Sequence, residues 1–499
     1  MKRVVFGFWG AAGAGLLAML LALLAPAAAG LGKPKSPRPS SSPPPSTTSN
    51  FSFGQLQSKT VGSSGCGTND AAEPAIHVSA LNNVFLSSER GVGGGTDVWR
   101  GLGKPGGSGA AACDLEYRGQ PNAVAGTGAS GGDTDLAIGS SPIAAPSPGA
   151  GNYRVYVASL NLGSVAVANS SDNGGTFVNT PVQGGIPIDD RPWIAAFGAN
   201  TSLLTYHDIA SNDIDVLRSD NGGLFYAQVS QAIPASDYKA SNNELGNIVI
   251  DRRNSAGTVG APGGQPGFWA YQSFVAPSAP PSVNTKHPSL NSLFPDFNQA
   301  FVAVSNDGGF TWTDRPIGCS KSGGSLDHQF PNVSVAPNGS VWATWSDDSN
   351  VFAAVSTDHG QTWTCSGRVS TNTSQAVMPW LVATSGGVDL VYYGTTGGKK
   401  EIWSVYFAQN LSGTAAGWGG PQALFPVHQG SICEEGFTCD SGRQLFDDFG
   451  VDTDQQGWAH IAYSHDAPTP PSLLPVLGGE ASYTGYAVQT AGTPVGAPN

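Results

Sequence analysis

Charge is scarce in this chain: only 12% of its 499 residues are Asp, Glu, Lys or Arg. The basic residues number 23 and form no cluster, so the phosphate track of a nucleic-acid binder is missing. A coiled coil or helical array rich in Ala, Glu, Lys, Leu and Arg is excluded by the same poverty. No Gly-X-Y period runs through the 68 glycines, which excludes collagen. No CxxC spacing occurs among the six cysteines, so a zinc knuckle has no ligand set. No Gly-Lys-Ser phosphate loop and no His-Glu-x-x-His helix is present.

What the chain has is apolar and turn-forming. Hydrophobic residues make up 39%, with 12 Trp and 13 Tyr, enough to bury a sizeable core. Short Val-rich or aromatic runs alternate with Gly-rich turns, the pattern of an all-β protein.

The N-terminus reads as a targeting segment, residues 1–29. Met1-Lys2-Arg3 precedes an apolar stretch from Val4 to Leu24, and Pro26-Ala27-Ala28-Ala29 supplies a small-x-small cleavage signal. The protein is therefore expected to be secreted. An uncleaved leader anchoring it at the surface is the alternative, and the only route to a membrane. Residues 30–50 are a Pro/Ser-rich extended linker. Five of the basic residues and none of the acids lie before residue 51. Residues 51–499, the expected folded domain, are thus strongly acidic, which disfavours polyanionic partners. Six cysteines behind a signal segment read as disulfides, with Cys433–Cys439, Cys319–Cys365 and Cys66–Cys113 the expected pairing.

Internal repeats decide the architecture. Ser170-Ser-Asp172-Asn-Gly174-Gly-Thr176-Phe177 has counterparts around Asp220, Asp307 and Asp358. Each reads as a hairpin turn in which Asp accepts bonds from backbone N–H groups and Gly takes a positive φ. A second repeat comprises strands ending in polar clusters, such as Leu203–Asp208, Val341–Asp348 and His460–Asp466. A third precedes each of these, as in Asp189-Asp190-Arg191-Pro192-Trp193-Ile194. Together they predict a β-propeller of seven four-stranded blades, with six the alternative. A strand near Phe51–Val61 is expected to complete the last blade and close the ring.

The Asp turns give the chain a family likeness: it resembles the sialidase-like, Asp-box (BNR-repeat) β-propellers. That resemblance implies that the four Asp are structural and lie opposite the active face. It implies a glycan or polysaccharide as partner. It does not extend to the chemistry of a true sialidase. The early Phe/Tyr-Arg-Ile-Pro motif is missing, with Asp190-Arg191-Pro192-Trp193 the nearest string, and the arginine triad cannot be assigned.

Repeat phase narrows the chemistry to one face, where loops entering the innermost strands meet loops joining second to third strands. The expected catalytic set there is Asp190, Arg191, His207, Asp208, Asp448, His465 and Asp466. Crowded carboxylates raise one another's pKa, which separates an acid from a base. A pair about 5–9 Å apart suits glycoside hydrolysis. Asp133, Asp135, Asp347 and Asp348 are the expected oxygen ligands should calcium bind. The function expected is a monomeric, secreted propeller that binds or hydrolyses glycans with these carboxylates. A non-catalytic binding propeller for carbohydrate or calcium is the alternative, and a polysaccharide lyase the third reading.

Overall fold

The computed structural model describes residues 48–499 apart from 55, 63–64, 67–68, 90–93, 110–113, 124–131, 144–150, 162–163, 183–188, 212, 241, 281–296, 321–324, 327–329, 400, 434–438, 440–441 and 467–480. The expected leader and nearly all of the linker lie outside these residues.

Among the described residues, twenty-eight strands form seven four-stranded antiparallel sheets. Strand β1 (Asn50–Gly54) comes first in sequence. Blade one is β2 (Ala72–Val78), β3 (Val84–Glu89), β4 (Thr96–Gly101) and β5 (Glu116–Gly119). Blade two is β6 (Thr134–Ile138), β7 (Val155–Asn161), β8 (Ser164–Ser170) and β9 (Val178–Val182). Blade three is β10 (Asp189–Phe197), β11 (Thr201–Asp208), β12 (Asp213–Ser219) and β13 (Ala227–Ile233). Blade four is β14 (Glu244–Ile250), β15 (Ala270–Ala276), β16 (Gln299–Ser305) and β17 (Thr313–Pro316). Blade five is β18 (Asn332–Val335), β19 (Val341–Ser346), β20 (Val351–Ser356) and β21 (Thr364–Arg368). Blade six is β22 (Gln375–Ala383), β23 (Val388–Thr395), β24 (Ile402–Asn410) and β25 (Gln422–Gln429). Blade seven is β26 (Gly450–Thr453), β27 (Ala459–His465) and β28 (Tyr483–Ala491), completed by β1.

The pairing of β1 with β28, Phe53 opposite Ala487, is the closure expected from sequence. It ties the two ends of the propeller into one sheet and leaves blade seven with a full outer edge.

Burial explains why the repeats look as they do. Each inner or middle strand is sandwiched between two neighbouring blades, so both of its faces are covered and its sequence is a continuous apolar run. Strand β23 is buried at all eight positions, whereas the outermost strand of blade five, β21, is mostly exposed. Between blades five and six, Trp342, Leu381, Leu390 and Tyr392 interdigitate. Each such side chain contributes about 1.5–3 kcal/mol through removal from water.

The turns between third and fourth strands carry the Ser-x-Asp-x-Gly-x-Thr pattern. In blade two, Asp172 Oδ1 accepts from Thr176 N at 2.8 Å and Oδ2 from Thr176 Oγ1 at 2.9 Å. Ser170 Oγ accepts from Gly174 N at 2.9 Å, and Gly174 needs its positive φ to turn the chain there. Blades four and five repeat this with Asp307 and Asp358. Blade three departs from the expected register by one residue. Ser219 Oγ receives Gly223 N, and Asn221, not Asp220, receives Phe225 N. Asp220 instead pairs with Arg218 at 2.8 Å. An Asn oxygen accepts the same backbone bond as an Asp, so the turn survives the slip.

Two expected disulfides, Cys319–Cys365 and Cys433–Cys439, are formed. Cys66 is also disulfide-bonded, while Cys113 lies outside the described residues. No helix among the described residues is long and apolar enough to cross a membrane.

Candidate functional site at the channel mouth

The inner strands of the seven blades surround a channel. One end is covered by the C-terminal residues: Pro498 bridges to Thr384, and Asn499 exchanges bonds with Asp251 and with the backbone of Arg252. The other end, where the inner strands begin, is lined with charge.

Three of these inner strands start with a bulge at a residue that precedes proline: Glu73-Pro74, Arg191-Pro192 and Met378-Pro379. Glu73, Arg191 and Met378 have φ of 50°, 51° and 52°. Left-handed backbone costs a non-glycine residue about 1–3 kcal/mol. A bulge re-aims the side chain it carries, and here it turns Glu73 and Arg191 toward each other.

Arg191 is the centre of the mouth. Its Nη2 lies 3.0 Å from Glu73 Oε1 and also contacts Asp447 Oδ2; its Nε lies 3.4 Å from Asp133 Oδ2. Its guanidinium stands 3.9 Å from the centre of the Phe330 ring, a cation–π contact. Arg443 adds a second cation, 2.7 Å from Asp447 Oδ2. Burial alone would lower the Arg191 pKa, but Asp133, Glu73 and Asp447 outweigh it and hold the pKa well above the usual arginine value.

Six carboxyl groups crowd these two cations, and burial raises four of them. Glu73 is pushed up to about 7, with Arg191 opposing and Asp447 and Asp133 reinforcing the shift. Glu89 rises well above the ordinary range through burial and the charge of Glu73, to which it is hydrogen-bonded. Asp190 rises through burial and through Asp133, its hydrogen-bonded neighbour. Asp448 rises through burial and Glu73. Glu73–Glu89 and Asp133–Asp190 are thus two hydrogen-bonded carboxyl pairs, in which the neighbouring charge helps to raise Glu89 and Asp190. Asp190 and Asp448 are half-buried, while Glu73 and Glu89 are fully buried.

Of the catalytic residues expected from sequence, the fold brings Asp190, Arg191 and Asp448 together, and adds Asp133 from the expected calcium set. The others go elsewhere. Asp208 stands with Asp213 and Asp215 on blade three, their carboxylate oxygens within 4.8 Å of one another. His207, directed to the opposite side of β11 from Asp208, is lowered to about 4 by burial and is neutral at physiological pH. His465 is held between Tyr463 and Tyr483. Asp466 Oδ2 lies 2.8 Å from His428 Nδ1. Asp135 accepts backbone bonds from Leu136 and Ile194. Asp347 is engaged in its own turn with Asn350 N, and Asp348 occupies the same turn with φ of 65°. Asp135, Asp347 and Asp348 therefore serve separate local bonds and do not gather around Asp133. Arg90, Asp327 and His328, which the same loops carry, lie outside the described residues.

Glu73, Arg443 and Phe330 were not singled out from sequence. The signal was available for Glu73 and Phe330: each precedes the proline that opens an inner strand, as Arg191 does.

No protein-family model matches the chain, and no curated protein matches it. Some solved structures are similar to it over most of its length. An α-L-arabinofuranosidase from Fusarium graminearum is 11% identical with a TM-score of 0.44, covering 89% of this chain and 98% of that one. An α-L-arabinanase from Penicillium chrysogenum is 10% identical with a TM-score of 0.39, covering 89% and 98%. An ulvan lyase is 8% identical with a TM-score of 0.47, covering 85% and 94%. Likeness at this level does not extend to the residues of a site.

Proposed function

We propose that this chain is an exported propeller, sialidase-like in architecture, that hydrolyses glycosidic bonds at its channel mouth. The observation that carries this reading is the placement of Asp190 and Asp448. Both lie where inner strands begin, both are half-buried beside Arg191, and both have carboxyl groups that hold protons more tightly than usual. A cluster that titrates as a unit keeps one carboxyl protonated while another is ionised. The protonated group donates to the glycosidic oxygen as the bond to the anomeric carbon breaks. The ionised one takes a proton from the attacking water or attacks the carbon itself.

Arg191 is a positioning residue in this scheme. Its guanidinium is engaged by Glu73, Asp133 and Asp447. It is therefore poorly placed to pair with a sugar carboxylate, which favours neutral glycans over sialosides and uronates. The same point weighs against a polysaccharide lyase, which must neutralise a uronate. The disulfides and the leader support export.

Incubation with neutral and acidic polysaccharides and sialosides, with products read by mass spectrometry, tests the proposal. A product heavier by one water per cleaved bond supports hydrolysis; an unsaturated product supports a lyase. A second reading, a non-catalytic glycan-binding propeller, is favoured by the hydrogen bonds within Glu73–Glu89 and Asp133–Asp190, which engage these acids without a substrate. Retention of a glycan without any product supports that reading.

A further inference from the structure

Blade three carries a second group of acids, separate from the mouth. Asp189 and Asp208 are directly opposed on β10 and β11, and Asp208 and Asp213 on β11 and β12. Asp215 is opposed to Tyr206 one step further on. Directly opposed residues share a face of the sheet, and so do residues two apart on a strand. All four carboxylates and the Tyr206 hydroxyl therefore stand on one face of blade three. All five residues are at least nine-tenths buried.

Among the described residues, none of these four acids forms an ion pair. What they accept comes from neutral groups. Asp208 Oδ1 takes Ala210 N and Ser211 N, Asp213 takes Ser211 Oγ and Gln231, and Asp215 takes Gln228. Two polar atoms beside them have no partner among the described residues: Asp189 Oδ1 and the Tyr206 hydroxyl. The charges acting on Asp189 are Asp208 and Asp215, and those acting on Tyr206 include all four acids. Four buried acids without a cation is an arrangement that the mouth, built around Arg191, avoids.

We propose that Asp208, Asp213 and Asp215, with Asp189 beside them, hold a calcium-class divalent cation that clamps β10, β11 and β12 at the rim of blade three. The donors are oxygen only, which selects a hard cation. The oxygens lie within 4.8 Å of one another, so one ion can reach all three, and a site of three or four protein carboxylates suits calcium, because magnesium usually keeps several waters and takes only one or two carboxylates. The bound charge offsets the repulsion among the acids, and Asp189 Oδ1 gains a partner.

The test uses the purified full chain, stripped with chelator and then dialysed against calcium or magnesium. Bound metal is measured by elemental analysis and stability by thermal unfolding. Expected are about one equivalent of calcium, a melting temperature raised by several degrees, and a smaller response to magnesium. The double variant Asp213→Asn/Asp215→Asn should lose both the bound calcium and the shift. It should melt close to the wild type in chelator, because the removal of like charges offsets the one bond lost at position 213, where a single Asn oxygen can serve only one of Ser211 and Gln231, while Asn at 215 keeps an oxygen for Gln228. No retained calcium and no shift in the wild type would overturn the proposal. So would a shift that survives in the double variant but is lost in Glu73→Gln, since that places the cation at the mouth. Because the readouts are metal content and stability, they are independent of glycan turnover.

Discussion

Glu73 and Arg191 meet at 3.0 Å across the channel mouth although 118 residues separate them, and each arrives there on a left-handed residue before a proline. Two inner strands use the same distortion to point opposite charges at one another. A pair so built is expected to matter for both stability and chemistry.

Replacing Arg191 by Met leaves Glu73, Asp133 and Asp447 around an apolar side chain. Breaking a buried ion pair from one side costs about 3–5 kcal/mol. Urea unfolding of Arg191→Met at pH 7.5 should show a loss of that order. At pH 5, where Glu73, raised to about 7, takes up its proton, the deficit should shrink.

Asp190→Asn and Asp448→Asn separate function from folding. Each removes one acid from a crowded cluster, so the melting temperature should hold or rise slightly. Under the glycosidase proposal, kcat on a cleaved glycan should fall by about 10²–10⁴-fold, the range for loss of a general acid or base. Equal turnover in both variants would remove these two residues from the mechanism.

Asp389 gives a pH signature away from the mouth. It is buried, its Oδ2 has no partner among the described residues, and burial raises it to about 8, only partly offset by Gln409. The folded state holds this proton more tightly than the unfolded state, whose value is near 3.8. Its contribution to stability is therefore complete below about pH 4 and is lost as pH rises toward about 8, at up to roughly 1.4 kcal/mol per unit. Asp389→Asn should match the wild type near pH 4 and exceed it in chemical denaturation at pH 8.

The one-residue slip in the blade-three turn is testable in the same way. Asn221 holds the position that Asp172, Asp307 and Asp358 hold in their blades. Asn221→Ala should cost about 0.5–1.5 kcal/mol, the worth of the lost bond. Asn221→Asp should be neutral or stabilising, because a carboxylate accepts from the Phe225 N–H and the Ser219 hydroxyl more strongly. Equal tolerance of Ala and Asp in thermal unfolding would place the turn's support elsewhere.

Much of this molecule was legible in its sequence. Seven blades, the closing strand near Phe51, the turns at Asp172, Asp307 and Asp358, and two of the disulfides follow from local patterns repeated along the chain. Strand periodicity and turn chemistry act over a few residues, so each repeat announces itself. The site was legible only in part. Repeat phase pointed to one face and named Asp190, Arg191 and Asp448, which the fold does bring together, but it treated every acid on that face alike.

Which acids meet was decided by tertiary structure. Arg191 is joined to Glu73 across 118 residues and to Asp447 across 256, distances over which no local pattern acts. Asp189 and Asp190 are neighbours in the chain, yet the first faces the acids of blade three and the second the mouth. Successive residues of a strand point to opposite sides. The same alternation sends His207 and Asp208 apart. Composition and repetition determined that this chain closes a seven-bladed ring with an acidic face. The bulges before Pro74 and Pro192, and the contacts between blades distant in sequence, decided where on that face the charges converge.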